Sequence, residues 1–129
     1  MLSKVSDLLN DAVNADPNLD ETAFIDEIIE KYVTYDNLKH AIDTDTDLLT
    51  AALEKVNIYD PIMGLLFRGV CRKYWFKIEN YLLDANKIYE KIAKKPECAA
   101  LLDTEEGNRY LNKTCKRTYD FIYNFVWGT

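Results

Sequence analysis

Residues 60–95 read DPIMGLLFRGVCRKYWFKIENYLLDANKIYEKIAKK, and this stretch decides the fold. Asp60 followed by Pro61 is typical of a helix start, because the carboxylate can cap the first turn and the proline lies where no N–H is needed. Apolar side chains then recur every three or four residues, which is the spacing of one helical face. They are Met63, Phe67, Val70, Tyr74, Ile78, Tyr81, Ala85, Ile88 and Ile92. We expect one long helix here, or two helices with a bend near residues 84–86.

Helical spacing also marks the rest of the chain, which contains only four glycines and three prolines. Apolar stripes cover residues 2–13, 24–33 and 48–56, a short helix is predicted over 96–102, and a last helix is predicted over 103–127. Several pairs match a capping box, in which a polar side chain caps a helix and an acidic one reaches back to it. These pairs are Asn18 with Glu21, Thr44 with Asp47, and Asp103 with Glu106.

Two glycines interrupt the pattern of residues 60–95. Gly64 and Gly69 each weaken a helix by about 1 kcal/mol relative to alanine. Close packing of another backbone would explain why glycine stands at these positions.

We therefore predict an all-α fold, a compact single-domain helical bundle of about five to seven helices that spans residues 1–129. Residues 60–95 and 103–127 should form its central helices. One segment also fits a strand, because aromatic residues alternate between residues 119 and 127. We favour a helix there, since no other segment offers a strand with which it could pair.

Charge is divided unevenly along the chain, whose net charge is −6. Residues 1–64 hold four basic and fourteen acidic side chains, a net charge of −10, whereas residues 65–129 hold twelve basic and eight acidic ones, a net charge of +4. Either the two halves attract each other within the fold, or one of them faces a charged partner. The acidic pI of about 4.8 argues against general coating of nucleic acid.

Basic side chains follow two of the predicted helices at one-turn spacing, with aromatic residues between them. Such stripes could bind phosphates and stack bases. The other interpretation is a solvated face, or a face that docks on the acidic half of the chain. The nucleic-acid candidates are Arg68, Arg72, Lys73, Lys77, Arg109, Lys113, Lys116 and Arg117.

The last predicted helix carries a second apolar stripe beside its core stripe. Tyr119, Tyr123 and Trp127 form it, at intervals of four residues. A helix that is apolar on so much of its circumference is either central to the bundle or covered by another chain. Tyrosine and tryptophan suit interfaces, because they bury a large area while their polar atoms stay hydrated. These three residues are the protein-interface candidates, and both interpretations remain open.

Residues 43–54 carry part of a calcium-loop pattern. With Asp43 as position 1, carboxylates occupy positions 1, 3, 5 and 12, as in an EF-hand loop. Leu48 stands at position 6, where the sharp turn of that loop requires glycine. We therefore interpret the segment as a helix start, whose first turn favours negative charge. We expect no metal site, although cation binding by Asp43–Glu54 stays open.

Signals of catalysis are nearly absent from the sequence. His40 is the only histidine, which excludes every site that needs two imidazoles. Cys71, Cys98 and Cys115 match neither a zinc site nor a disulfide framework, and we interpret them as reduced, buried residues. Cys71 lies near two arginines that could lower its thiol pKa, but a small core residue is the better interpretation. We find no glycine-rich phosphate loop, and we expect neither enzymatic activity nor a cofactor.

These observations lead to one functional hypothesis and one alternative. We expect a non-enzymatic, cytoplasmic protein–protein interaction module that binds itself or another protein through the last helix. No signal-peptide or membrane-spanning run is apparent, so we expect no membrane partner. The alternative is a nucleic-acid-associated protein that binds phosphates through the basic stripes of the two long helices.

Overall fold

The computed structural model describes residues 2–14 and 16–128, and these ranges contain nine helices and no strand. The all-α prediction is confirmed, whereas the predicted number of five to seven helices is too small. The helices are α1 (Leu2–Val13), α2 (Ala23–Tyr32), α3 (Tyr35–Thr44), α4 (Leu48–Lys55), α5 (Pro61–Lys73), α6 (Trp75–Leu83), α7 (Ala85–Ile92), α8 (Pro96–Leu102) and α9 (Glu105–Trp127).

The predicted long helix of residues 60–95 is three helices. The anticipated break occurs at Asp84, whose carboxylate caps α7 by accepting hydrogen bonds from the N–H groups of Asn86 and Lys87. An additional break occurs at Tyr74, where the backbone leaves helical geometry at φ −115° and ψ 28°. The Tyr74 hydroxyl there donates to the Ala12 carbonyl oxygen at 3.2 Å, which ties the bend to the end of α1. The apolar spacing continues through this bend, so the sequence pattern did not indicate the bend at Tyr74.

Helix starts were predicted well where a proline marks them. Asp60 accepts hydrogen bonds from the N–H groups of Ile62 and Met63, and Pro61 begins α5. Pro96 begins α8, as expected. Thr104, rather than Asp103, caps α9 by accepting from the N–H of Gly107.

The three predicted capping boxes are therefore all wrong, Asp103 with Glu106 included. Helix α2 begins at Ala23 with Thr22 in the N-cap position, so Asn18 lies outside it. Thr44 is the last residue of α3, where its hydroxyl donates back to the His40 carbonyl oxygen. Asp47 takes the N-cap position of α4 instead. Serine, threonine and aspartate form local hydrogen bonds at either end of a helix, so the sequence pattern alone does not fix which end they mark.

One hydrophobic cluster draws side chains from all nine helices. Helix α9 is at its centre, because it packs against α3, α4, α5, α6, α7 and α8. The strand alternative for residues 119–127 is excluded, since this segment is the last part of α9. No helix in the described ranges combines the length and the apolar character needed to cross a bilayer.

Candidate interaction surface

Two arginines of α5 bind the C-terminal end of α9. The Arg68 Nε donates to the Phe125 carbonyl oxygen at 3.1 Å, and the Arg72 guanidinium donates twice to that of Val126, at 2.9 and 2.7 Å. The last carbonyl groups of a helix lack partners within it, and they carry partial negative charge that favours a cation. Both arginines therefore stabilise the packing of the end of α9 on α5.

Two lysines that follow the arginines contact the acidic half of the chain. The Lys73 ammonium donates to the carbonyl oxygens of Ala12 and Val13, at 3.1 and 3.0 Å, and so caps the end of α1. Lys77 forms an ion pair with Glu21 at 3.1 Å. Neither lysine is left without an intramolecular partner.

On α9, two further candidates bind Asp45 at the end of α3. The Lys113 ammonium and the Arg117 guanidinium each lie 2.7 Å from one of the two Asp45 carboxylate oxygens. These contacts lower the pKa of Asp45, with the Lys113 hydrogen bond as the largest cause and the Arg117 hydrogen bond next. Asp45 has φ 54°, a left-handed conformation that aspartate tolerates better than most residues.

Six of the eight nucleic-acid candidates thus contact other parts of the same chain. The side chains of Arg109 and Lys116 are exposed and make no hydrogen bond or ion pair within residues 2–14 and 16–128. The Lys91–Asp26 ion pair adds to the contacts between the two halves of the chain. The division of charge along the sequence therefore corresponds to attraction within the fold.

The protein-interface candidates meet in one aromatic cluster around Trp75, the first residue of α6. The Trp75 ring centroid lies 6.0 Å from that of Tyr119, 5.8 Å from that of Tyr123 and 5.9 Å from that of Trp127. The Tyr119 hydroxyl donates to Glu79 at 2.6 Å, and this hydrogen bond raises the pKa of Tyr119 to about 12. Tyr123 and Trp127 remain 45% and 41% exposed, so the cluster is fixed by internal contacts and still open to solvent.

A second group of aromatic contacts surrounds Phe125, on another side of the same part of α9. Its ring centroid lies 6.3 Å from that of Tyr59, and the buried Phe67 contacts it edge-on from α5. The Arg68 guanidinium covers the Phe125 ring at 4.6 Å, and the Arg72 guanidinium lies 5.3 Å from the Trp127 ring centroid. The two arginines therefore connect the aromatic groups on either side of α9.

Large apolar side chains are exposed on α5 and in the first turn of α6. Ile62, Leu65 and Phe76 are 73%, 67% and 77% exposed. The sequence pattern did not single out these three residues, because all of them lie off the apolar stripe that predicted the core. We call the whole set the apolar seam, which consists of Tyr59, Ile62, Leu65, Phe76, Tyr123 and Trp127.

The calcium-loop pattern does not form a metal site in the described part of the chain, where no group of three or more potential ligands converges. Asp45 binds two cationic side chains, and Asp47 accepts hydrogen bonds from the hydroxyls of Thr114 and Thr118. The segment ends one helix and begins the next, as the helix-start interpretation requires.

The cysteines are buried, as expected. Burial raises the pKa of the Cys71 thiol and raises that of Cys115 to about 12. The neighbouring arginines do not activate Cys71, because their guanidinium groups bind the end of α9. A protonated, buried thiol is a poor nucleophile.

The chain was compared with protein-family models, curated proteins and solved structures. No family model matches it, and neither a curated protein nor a solved structure matches it significantly. The apolar seam and the charged contacts around it are therefore the features from which a function can be inferred.

Proposed function

We propose that this chain is a non-enzymatic interaction module that binds another protein chain through the apolar seam. The observation that carries the proposal is that six of the nine large exposed apolar side chains in the described ranges lie on or next to α5, in the first turn of α6 or near the end of α9. Exposed apolar side chains scattered singly are normal on a protein surface, whereas a contiguous group of them indicates an interaction site. A cytoplasmic location belongs to the same proposal, supported by three free cysteines.

The size of the seam supports a protein partner. Taking about 200 Å² for an aromatic side chain and slightly less for Ile and Leu, the exposed fractions correspond to about 700 Å² of apolar surface. A standard protein–protein interface buries roughly 800 Å² on each partner. The seam could therefore form most of one side of such an interface.

Two residues of the apolar seam, Tyr123 and Trp127, are also held in place before binding. Trp75 contacts both Tyr123 and Trp127, and the Arg72 guanidinium lies over the Trp127 ring. Side chains that are already fixed lose little conformational entropy when a partner binds. Because the six bound cations are held by groups of the same chain, the affinity should come mainly from apolar burial and depend little on salt.

Site-specific photo-crosslinking in the source cells tests this function. A photoreactive benzoyl-phenylalanine replaces Phe76 in the seam, and the same group replaces Tyr35, an exposed aromatic residue of α3, as the matched control. We expect a discrete covalent adduct with a protein chain, of this or another sequence, from position 76 and none from position 35. Equal labelling at both positions, or no adduct at position 76, would contradict the proposal.

Nucleic-acid binding remains the alternative, and it now depends on fewer residues than the sequence indicated. Arg109 and Lys116 are the candidates without an internal partner in the described ranges. If the alternative holds, DNA or RNA is retained at low salt and released steeply as salt rises, and Arg109→Ala with Lys116→Ala weakens retention. No retention at low salt would exclude it.

A further inference from the structure

Residues of α2, α3 and α4 line a small cavity that shares no residue with the apolar seam. Its volume is about 220 Å³, and its lining includes Tyr32 from α2, His40 from α3 and Lys55 from α4. Sites for drug-sized ligands enclose about 300–1,000 Å³. A cavity of this size therefore fits a smaller molecule.

Part of the lining is apolar and already buried. Ala41, Leu48 and Ala52 line the cavity and are almost completely buried. Ala51 lines it as well, from an exposed position on α4. The short side chains of the three alanines leave the space between the helices open, and hydrocarbon that enters this space leaves water. The lining therefore favours a ligand with an apolar body.

The polar part of the lining favours a negative charge. None of the described lining residues is aspartate or glutamate, although residues 1–64 hold fourteen acidic side chains. The exposed side chains of Lys55 and His40 make no hydrogen bond or ion pair within residues 2–14 and 16–128. An ammonium group and an imidazole both carry N–H donors, and a donor that is charged binds an anionic oxygen more strongly than a neutral one. An anion therefore suits this cavity better than a cation.

The end of α2 would repel an anion if its carbonyl groups were unpaired, because they carry partial negative charge. Tyr32 is the last residue of α2, and its carbonyl oxygen accepts a hydrogen bond from the Asn37 side-chain amide at 3.1 Å. The Lys95 ammonium donates to the carbonyl oxygens of Glu30 and Val33. These donors offset the negative end of α2 beside the cavity.

The hydroxyl group of Tyr32 lacks a hydrogen-bond partner. It is buried, and no polar group in the described part of the chain lies within hydrogen-bond distance of it. A buried polar group without a partner destabilises a fold, and such groups are rare in proteins. Tyr32 as a whole is only partly buried, so its ring can move by the small amount that a hydrogen bond to a ligand in the cavity requires. An acceptor oxygen that enters beside Tyr32 supplies the missing partner.

We propose that this cavity binds a small monocarboxylate with an apolar body, of the class of aromatic or branched-chain carboxylic acids. The carboxylate pairs with the Lys55 ammonium and accepts the hydrogen bond of the Tyr32 hydroxyl, while the apolar body packs on Ala41 and Ala52. Lys55 is the one lysine among the described lining residues, and a single negative charge matches it better than the two charges of a phosphate. This site goes beyond the proposed function, with which it shares no residue.

Isothermal titration calorimetry of the purified full chain tests the site with benzoate, 3-phenylpropionate and 4-methylpentanoate. We expect saturable binding of at least one of these acids, with a dissociation constant of about 0.1 mM and a higher melting temperature in its presence. The neutral amide of the same acid keeps its shape without the charge, and it should bind about tenfold more weakly. Absence of binding by all three acids at about 10 mM would overturn the site, and equal binding of the amide would overturn the anionic class of ligand.

Substitution of the lysine tests where the carboxylate binds. Lys55→Met keeps most of the hydrocarbon chain and removes the charge, so it should raise the dissociation constant of the acid by about tenfold. Lys94→Met, an exposed lysine outside the cavity, changes the net charge equally and should leave binding unchanged. Equal affinities of Lys55→Met and the native chain would overturn the pairing with Lys55.

Tyr32→Phe separates a role in binding from a role in the fold. The substitution removes a buried hydroxyl that has no partner in the described part of the chain, so the melting temperature without ligand should stay equal or rise. Binding of the acid should nevertheless weaken by about tenfold. A variant that binds as tightly as the native chain would overturn the role of Tyr32.

Filling the cavity tests its location. Ala51→Leu adds a large side chain to the lining from an exposed position on α4, so the fold should tolerate it while binding of the acid is lost. Ala100→Leu, at an exposed position on α8, is the matched control and should leave binding unchanged. Native affinity in the Ala51→Leu variant would show that the acid binds elsewhere and would overturn the proposal.

Discussion

The two halves of α9 are held in different ways. Its first half, up to Thr118, docks on the connection between α3 and α4 through polar contacts, in which the buried polar groups have hydrogen-bond partners. Its second half, from Tyr119, packs on α5 and α6 through aromatic rings that remain partly exposed. The first half therefore specifies the fold, whereas the second half stabilises the fold and still has surface available for a partner.

Asp47 is the centre of the polar half. Its carboxylate accepts hydrogen bonds from the hydroxyls of Thr50, Thr114 and Thr118, and the last two threonines are almost completely buried. Beside it, the Tyr110 hydroxyl donates to the Thr46 carbonyl oxygen and accepts from the Leu48 N–H. Buried polar groups stabilise one arrangement only when all of them have partners, and this network meets that condition.

Removal of the Asp47 carboxylate should cause the largest loss of unfolding free energy, because it disrupts the polar contacts of the first half of α9. We expect Asp47→Ala to lower the free energy of unfolding by about 3 kcal/mol, because two buried hydroxyls lose a charged acceptor. Denaturant unfolding measures it. Asp47→Asn keeps one acceptor oxygen and serves as the control, with a smaller loss. A loss below about 1 kcal/mol for Asp47→Ala would show that this network does not determine how α9 docks.

The packing of the aromatic half of α9 on α5 can be disturbed by a substitution at Gly64. Gly64→Ala should lower the free energy of unfolding by about 2 kcal/mol, because the added Cβ meets the Ile58 carbonyl oxygen and lies 3.7 Å from the Phe125 ring. Thermal unfolding at low protein concentration measures the effect. Gly69→Ala is the matched control in the same helix, and its expected effect is neutral or stabilising, because an added Cβ there lies 3.7 Å from the nearest atom, a Val13 methyl carbon. Equal effects of the two substitutions would contradict this difference between the glycines.

Truncation of an exposed ring should have a smaller effect on stability. We expect Trp127→Ala to lower the free energy of unfolding by about 1 kcal/mol, since the ring loses its contacts with Trp75 and Arg72 but was already partly hydrated. Lys116→Ala, a solvent-facing change on the same helix, is the control and should be neutral. A loss of unfolding free energy as large as that of Asp47→Ala would mean that the aromatic half of α9 serves to stabilise the fold and offers no surface to a partner.

The smallest expected effect concerns the exposed ion pairs of Asp45. Its folded-state pKa lies below the ordinary value of 3.8, so the ion pairs stabilise the fold above that pH and lose their contribution as pH falls through the lowered pKa. Asp45→Asn should therefore melt slightly below the native chain near neutral pH. Melting curves taken at decreasing pH should converge in acid, and a difference that stays constant would contradict the assignment.

The aromatic half of α9 was largely visible in the sequence. Tyr119, Tyr123 and Trp127 recur at intervals of four, so any helix places them on one side, and the structure brings all three to Trp75. The two interpretations of this stripe prove compatible, because α9 is central to the bundle and yet two of the three rings remain partly exposed.

The exposed apolar residues of α5 and α6 were less visible in the sequence. Ile62, Leu65 and Phe76 lie outside the core stripe, but apolar residues off a stripe are often covered by a neighbouring element that one sequence does not reveal. The partners of the basic residues were equally hidden. Arg68 and Arg72 bind backbone carbonyl groups more than fifty residues away, and no side-chain pattern marks those acceptors.

By itself, the sequence determined the helices and several of their ends. Apolar spacing, the Asp60–Pro61 start and Pro96 act through contacts within about one turn, so their effect is the same in any surroundings. Only the tertiary structure decided the bend at Tyr74, the capping of α1 and α9 by distant cations, and the division of α9 into a polar and an aromatic half. Those features depend on which groups meet across long stretches of chain, and that is settled by the packing of the whole core.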